Sequence, residues 1–189
     1  MADIITRFGI KEVADVIFYE VVEDATSATG VKKGNEVLKF DTLKVSNIES
    51  TAESSEARGG KGNAALISWD YGREINVTIE DALMSMECLA LLFGDKEEDG
   101  KITINANKFP GTYYVEGSTY ARNELDGKDH VFKFIIPKAK IQSETTLTME
   151  AEGDPSVIGM TLKVLRCKNG DMMMLERDEK AVGDETTTD

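Results

Sequence analysis

Leu43-Lys44-Val45-Ser46-Asn47, then Ala57-Arg58-Gly59-Gly60-Lys61-Gly62-Asn63, then Ile67-Ser68-Trp69-Asp70, then Arg73-Glu74-Ile75-Asn76-Val77 is the stretch that decides the fold. Ile75, Val77 and Ile79 alternate with Glu74, Asn76 and Thr78, the period-two pattern of a half-buried strand. The three glycines at 59, 60 and 62 interrupt strand character on both sides of them. The spacing predicts one long β-hairpin over Leu38–Val77 with a glycine-rich tip. Its distal half, the arm at 49–63, is rich in Ser, Thr and Glu and has too little apolar surface to pack on itself. A long, polar, β-prone arm needs a partner strand or a neighbouring subunit. The tip residues Arg58, Gly59, Gly60, Lys61, Gly62 and Asn63 are therefore expected to form an assembly element. Trp69, in a stretch without a basic neighbourhood, is expected to be a core or interface anchor rather than a base-stacking residue.

Working outward, the run from Thr78 to Gly94 predicts the one helix. Thr78 or Asp81 can cap it, and Gly94 can end it. Ala82, Met86, Leu89, Ala90 and Phe93 share one face at helical spacing, with Leu83 and Leu92 beside them. The rest reads as strands. Val13–Val22 and Glu36–Ile48 precede the arm, with a loop at Glu23–Gly34 between them. Lys101–Asn105, Tyr113–Asn123, His130–Ile141, Thr146–Glu152, Met160–Cys167 and Met172–Glu176 follow the helix. Asp126-Gly127 and Asn169-Gly170 are hairpin-turn signals. The expectation is a mainly β (α+β) chain, a β-sandwich or partial barrel with one flanking helix and a long hairpin arm. A single domain covers 1–177, and 178–189 forms an acidic, disordered tail.

Composition excludes several function classes. The chain has 189 residues, 41% hydrophobic and 30% charged, with formal net charge −13. That suits one soluble domain with a substantial core. The acidic balance argues against phosphate-backbone binding, which concentrates Lys and Arg on one surface. It suits a surface past which DNA slides without sticking. No apolar run approaches the ~20 residues that span a bilayer. Met1–Arg7 lacks the basic and apolar regions of a secretory signal, so maturation in the cytoplasm of whatever cell makes the protein is expected. Cys88 and Cys167 read as free thiols there. A single histidine, His130, precludes a multi-histidine metal site within one chain.

Motifs that invite chemistry fail on their spacing. Gly59-Gly60-Lys61-Gly62 lacks the upstream glycine and the following Ser/Thr of a phosphate loop. Asp95-Lys96-Glu97-Glu98-Asp99-Gly100 resembles the first half of a calcium loop. Ala106 stands where the bidentate acid belongs, and a strand follows where a helix should. The plain reading is a solvated helix-to-strand turn. His130 has no Gly-x-Ser-x-Gly partner. The chain is read as a non-enzyme without cofactor or metal. The alternatives are a carbohydrate- or calcium-binding β-sandwich module, or a hydrolase using acids near His130.

Several stretches together resemble one family. They are Phe8-Gly9-Ile10-Lys11-Glu12-Val13-Ala14-Asp15-Val16, the Leu43–Ser46 and Ala57–Asn63 segments, and Asp81-Ala82-Leu83. Phe134-Ile135-Ile136-Pro137-Lys138-Ala139-Lys140-Ile141 and Ala151-Glu152-Gly153-Asp154-Pro155-Ser156 complete the series. In this order they are similar to bacteriophage tail tube (major tail) proteins. The resemblance implies a virion structural protein whose hexameric rings self-assemble into a hollow tail tube for DNA ejection. It implies strands merged into one inner barrel, an arm reaching neighbouring subunits, and a tape-measure protein as partner. A contractile tail would add a sheath protein. DNA would pass without specific binding, and no membrane is involved. Glu150 and Glu152, alternating with Leu147, Met149 and Ala151, are the candidates for the lumen face.

Overall fold

The computed structural model describes residues 7–83, 85–125, 127–142 and 158–182. In chain order the elements are β1 (Phe8–Glu23), β2 (Val31–Phe40), β3 (Leu43–Gly59), β4 (Ala64–Asp81), α1 (Met86–Phe93), β5 (Glu97–Glu98), β6 (Lys101–Ile102), β7 (Thr112–Asn123), β8 (Asp129–Ile141), β9 (Ile158–Val164) and β10 (Met174–Ala181). Among the described residues the main sheet runs β2-β1-β7-β8-β9-β4-β3, with β10 added on β8, and every pairing is antiparallel. The sheet curls until β3 touches β1 but does not close into a barrel. The mainly β, sandwich-like fold with one helix is as the sequence suggests.

The core fills the inside of that curl. Val16 and Phe18 of β1, Ile75, Val77 and Ile79 of β4, Ile136 and Ile141 of β8, and Leu162 of β9 are buried together. On β4 the alternation survives intact, with Ile75, Val77 and Ile79 buried and Asn76, Thr78 and Glu80 only half-buried.

Pro137 accounts for the curl. Tyr113 pairs with Ala139 and Val115 with Ile136, so Pro137 and Lys138 together oppose Tyr114 in a β-bulge. Proline lacks the N–H that a regular ladder needs, and a bulge is where a sheet accepts it. On the other edge of β8, β10 takes 130–135 and β9 takes 139–141, with the bulge between them. The bend sends the β9-β4-β3 wing over the core.

Several expectations are corrected. The arm hairpin is Leu43–Asp81 rather than Leu38–Val77, because the chain turns at Asp41-Thr42 and β2 pairs with β1 instead. The 23–34 loop shrinks to 24–30, since Lys32 and Lys33 already pair with Val22 and Val21. The helix does not begin at 78. Thr78–Asp81 stay in β4, held on one side by Ser46 and Asn47 and on the other by Met160 and Thr161. Asp81 does not cap the helix either. It is buried and accepts hydrogen bonds from the Thr42 hydroxyl and the Leu83 N–H, tying the β2–β3 corner to the end of β4.

Ser85 caps the helix instead, accepting from the Cys88 N–H at 3.0 Å. The later start moves the buried face. Cys88, Ala90, Leu91 and Leu92 are buried, Leu89 is half-buried, and Met86 and Leu83 are exposed. Gly94 ends the helix at φ +68, with its N–H and that of Asp95 returned to Leu91 and Ala90. A Cβ there would sit 2.2 Å from the Phe109 backbone carbon, so the position needs glycine on two counts.

Asn169-Gly170 does make a turn, with the Gly170 N–H donating to the Cys167 carbonyl. The strands it joins, however, pair with β8 and not with each other. β6 is only Lys101–Ile102, not the strand expected to 105. β10 runs on to Ala181, so the expected disordered tail begins inside a paired strand. The expected Thr146–Glu152 strand, with Glu150 and Glu152, lies outside the described residues.

Candidate assembly arm

Beyond Ile75 the β3–β4 hairpin leaves the sheet. β9 covers β4 only over Asn76–Asp81, and from Ser50↔Ile75 outward the two strands have only each other. The ladder continues to Gly59↔Ala64. At ~3.4 Å per residue the arm projects roughly 30 Å. Every residue of β4 from Ala64 to Glu74 is exposed. An isolated two-stranded hairpin is marginal in water.

Two bulges shape the arm. Gly72, at φ +62, supplies the left-handed residue where Thr51 pairs with Glu74 and Glu53 with Tyr71. A second irregularity falls between Ala57 and Arg58. The Gly72 bulge adds one residue to β4, which reverses the alternation outside it. Ile67, Trp69 and Tyr71 therefore lie on the face of Glu74 and Asn76, turned away from the core. They are 54%, 54% and 53% exposed, and Leu66 is 67% exposed. Their cross-strand partners are Ala57, Ser55 and Glu53. The result is an apolar stripe on one strand, flanked by small and polar residues and left uncovered by the described residues.

The tip residues Arg58 to Asn63 form the turn at the end of the arm. Gly60 and Gly62 adopt φ +78 and +90, and the Asn63 N–H donates to the Gly60 carbonyl. The glycines serve the turn. Arg58 pairs with Glu56 at 2.5 Å, while Lys61 stands exposed at the apex. Trp69, expected as a core or interface anchor, is not in the core. Sequence reasoning passed over Leu66 and Tyr71. The readable signal was Ile67, Trp69 and Tyr71 at period two in a segment whose partner strand is nearly all polar.

The other sequence candidates have local partners. Asp95 accepts from the Lys108 ammonium at 2.6 Å and from the Lys96 N–H, and Lys108 holds its carboxyl below the usual range. Glu97 accepts from the Gly100 N–H at 2.7 Å. Asp99 and Gly100, at φ +53 and +72, form the two-residue turn between β5 and β6. These carboxylates are engaged in shaping a turn. Among the described residues no three or more His, Cys, Asp or Glu side chains converge as a metal set. His130 is buried within β8, opposite Ala121. Cys88 and Cys167 are both free and buried, and burial pushes the Cys88 thiol up to about 12.

A family model for the YomU/Tube proteins matches residues 8–101 and 96–175. The chain belongs to the YomU/Tube protein family. Membership bears out the resemblance to phage tail tube proteins and makes this YomU/Tube chain a phage structural protein. The two matched segments carry the arm, the helix and the β7–β8 hairpin. Among solved structures, a chain of the cryo-EM structure of the anti-feeding prophage (AFP) baseplate, 6-fold symmetrised, is similar. It is 15% identical, with a TM-score of 0.48, over 89% of this chain and 95% of that one. That likeness is too distant to bear on function. No curated protein matches.

Proposed function

We propose that this chain is the repeating subunit of a phage tail tube. Its rings are hexameric, they stack into a hollow conduit, and DNA leaves through the lumen. The observation that carries the reading is the arm: a projecting hairpin with an apolar stripe left exposed among the described residues. Contiguous exposed apolar surface on a monomer marks an interaction site. Family membership supports a structural role, and the net charge of −13 suits a wall past which DNA must slide. In this role the protein sits in the virion tail, assembled around a tape-measure protein, with a sheath outside it in a contractile tail. It performs no catalysis.

The stripe is tested by Ile67→Ser/Trp69→Ser. Both side chains are exposed and off the core, so the melting temperature of the monomer should stay within a few degrees of the wild type. Buried aromatic anchors contribute ~2 kcal/mol or more at interfaces. The concentration needed for assembly should therefore rise by roughly thirtyfold or more. Normal assembly by this variant would remove the stripe from the interface.

The lumen assignment of Glu150 and Glu152 is part of the same proposal. Duplex DNA carries one charge per ~1.7 Å of axis, so weak attraction repeated at every ring would accumulate. Glu150→Lys/Glu152→Lys should leave tube assembly intact and give tubes a salt-sensitive affinity for DNA. It should also slow genome ejection. Unchanged ejection from virions carrying both lysines would place these side chains elsewhere.

A further inference from the structure

The tip of the arm has a complement at the other end of the molecule. A cavity of about 760 Å³ lies between β2 and α1, with Leu38, Leu91 and Tyr113 among its lining and Phe109 beside them. Phe109 is 65% exposed although it forms part of that wall. Glu87, Asp95, Glu97 and Glu98 line the groove against Lys96 and Lys108. Lys108 is already spent on Asp95, at 2.6 Å. The groove is thus apolar within and carries an excess of carboxylate. The arm offers the opposite charge at its apex, where Lys61 stands exposed while Arg58 is held by Glu56 at 2.5 Å, and exposed Leu66 and Ile67 follow.

The two features cannot meet within one chain. β4 begins at the tip with Ala64 and ends at Asp81, after which the chain enters α1. Its 18 residues place the two ends roughly 55 Å apart at ~3.3 Å per residue. A contact between tip and groove must therefore join two copies, and it is head-to-tail. Such a contact uses different surfaces on each partner and propagates into rings or filaments rather than closing as a dimer.

We propose that the arm tip of one copy, Arg58 to Ile67, seats in the β2–α1 groove of a second copy. Lys61 lies toward Glu97 and Glu98, and Leu66 lies against Phe109. The inference rests on the tube reading and deepens it by naming the receptor for the arm. The Gly94 cap has a place in it. The close approach of the helix end to Phe109 and Pro110 holds one wall of the groove in position before the tip arrives.

The test is a cross-link between two variants. Lys61→Cys and Glu98→Cys are mixed under mild oxidation, with Cys88 and Cys167 silent because they are 1% and 4% exposed. A disulfide-linked heterodimer should form at least tenfold above either variant alone. It should equally exceed a mixture of Lys61→Cys with Lys133→Cys, an exposed position on β8. A second arm uses charge. Arg58→Glu/Lys61→Glu should raise the concentration needed for assembly at least tenfold. Adding Glu97→Lys/Glu98→Lys to the same chain should recover most of the loss. Absence of the heterodimer excess, or failure of the swapped charges to recover assembly, overturns the proposal. If the wild type still forms tubes in that case, the tube reading stands and the arm binds elsewhere. A wild type that stays monomeric removes both.

Discussion

Replacing Leu92 by Asp unfolds the domain. Leu92 is 2% exposed and packs in the central cluster with Cys88 and Leu91 and with strands from both wings of the sheet. The substitution removes ~2 kcal/mol of apolar burial. It also leaves an unpaired carboxylate in that cluster, a cost of several kcal/mol more. Net stabilities of domains this size are about 5–15 kcal/mol. The expected melt is non-cooperative, or shifted down by well over ten degrees. Leu89→Asp should be milder, because the later helix start leaves Leu89 only half-buried. A Leu92→Asp protein that melts with the wild type would show that α1 is not docked on the sheet.

Removing the arm has the opposite signature. Glu53 and Tyr71 pair directly in the ladder, so residues 54–70 can be replaced by Asn-Gly without breaking register. The excised stretch contributes no residue to the buried cluster. The shortened chain should therefore fold, stay monomeric and melt close to the wild type. It should form no tubes at any concentration, because the exposed stripe and the basic tip leave together. Tubes from the shortened chain would show that assembly runs through other surfaces. Loss of the cooperative melt would show that the arm supports the core.

These two results probe what was legible in the sequence and what was not. The alternation at Ile75, Val77 and Ile79, the glycine tip and the β7–β8 pair are local patterns, and each stands where its periodicity puts it. The end of β4 is not a local matter. Thr78 and Asp81 read as helix caps, but they are held in the sheet by Thr161 and Ile158, about eighty residues later. Pairing of that span overrides a local capping preference. The same holds for Asn169-Gly170, a turn whose flanking strands both go to β8 because the Pro137 bulge divides its edge. Trp69 was expected as a core or interface anchor, and its exposure on the arm was not legible. Only the bulge at Gly72 turns it away from the core, and bulges leave little trace in composition. The groove between β2 and α1 was not readable at all, since it joins Leu38, Leu91 and Phe109 from three separate segments.

The central claim is that this chain builds a tube from copies of itself. Negative-stain imaging of the purified protein across a concentration series tests it most directly. The account predicts rings with sixfold symmetry that stack into hollow tubes as concentration rises. A protein that remains monomeric throughout the series would contradict it.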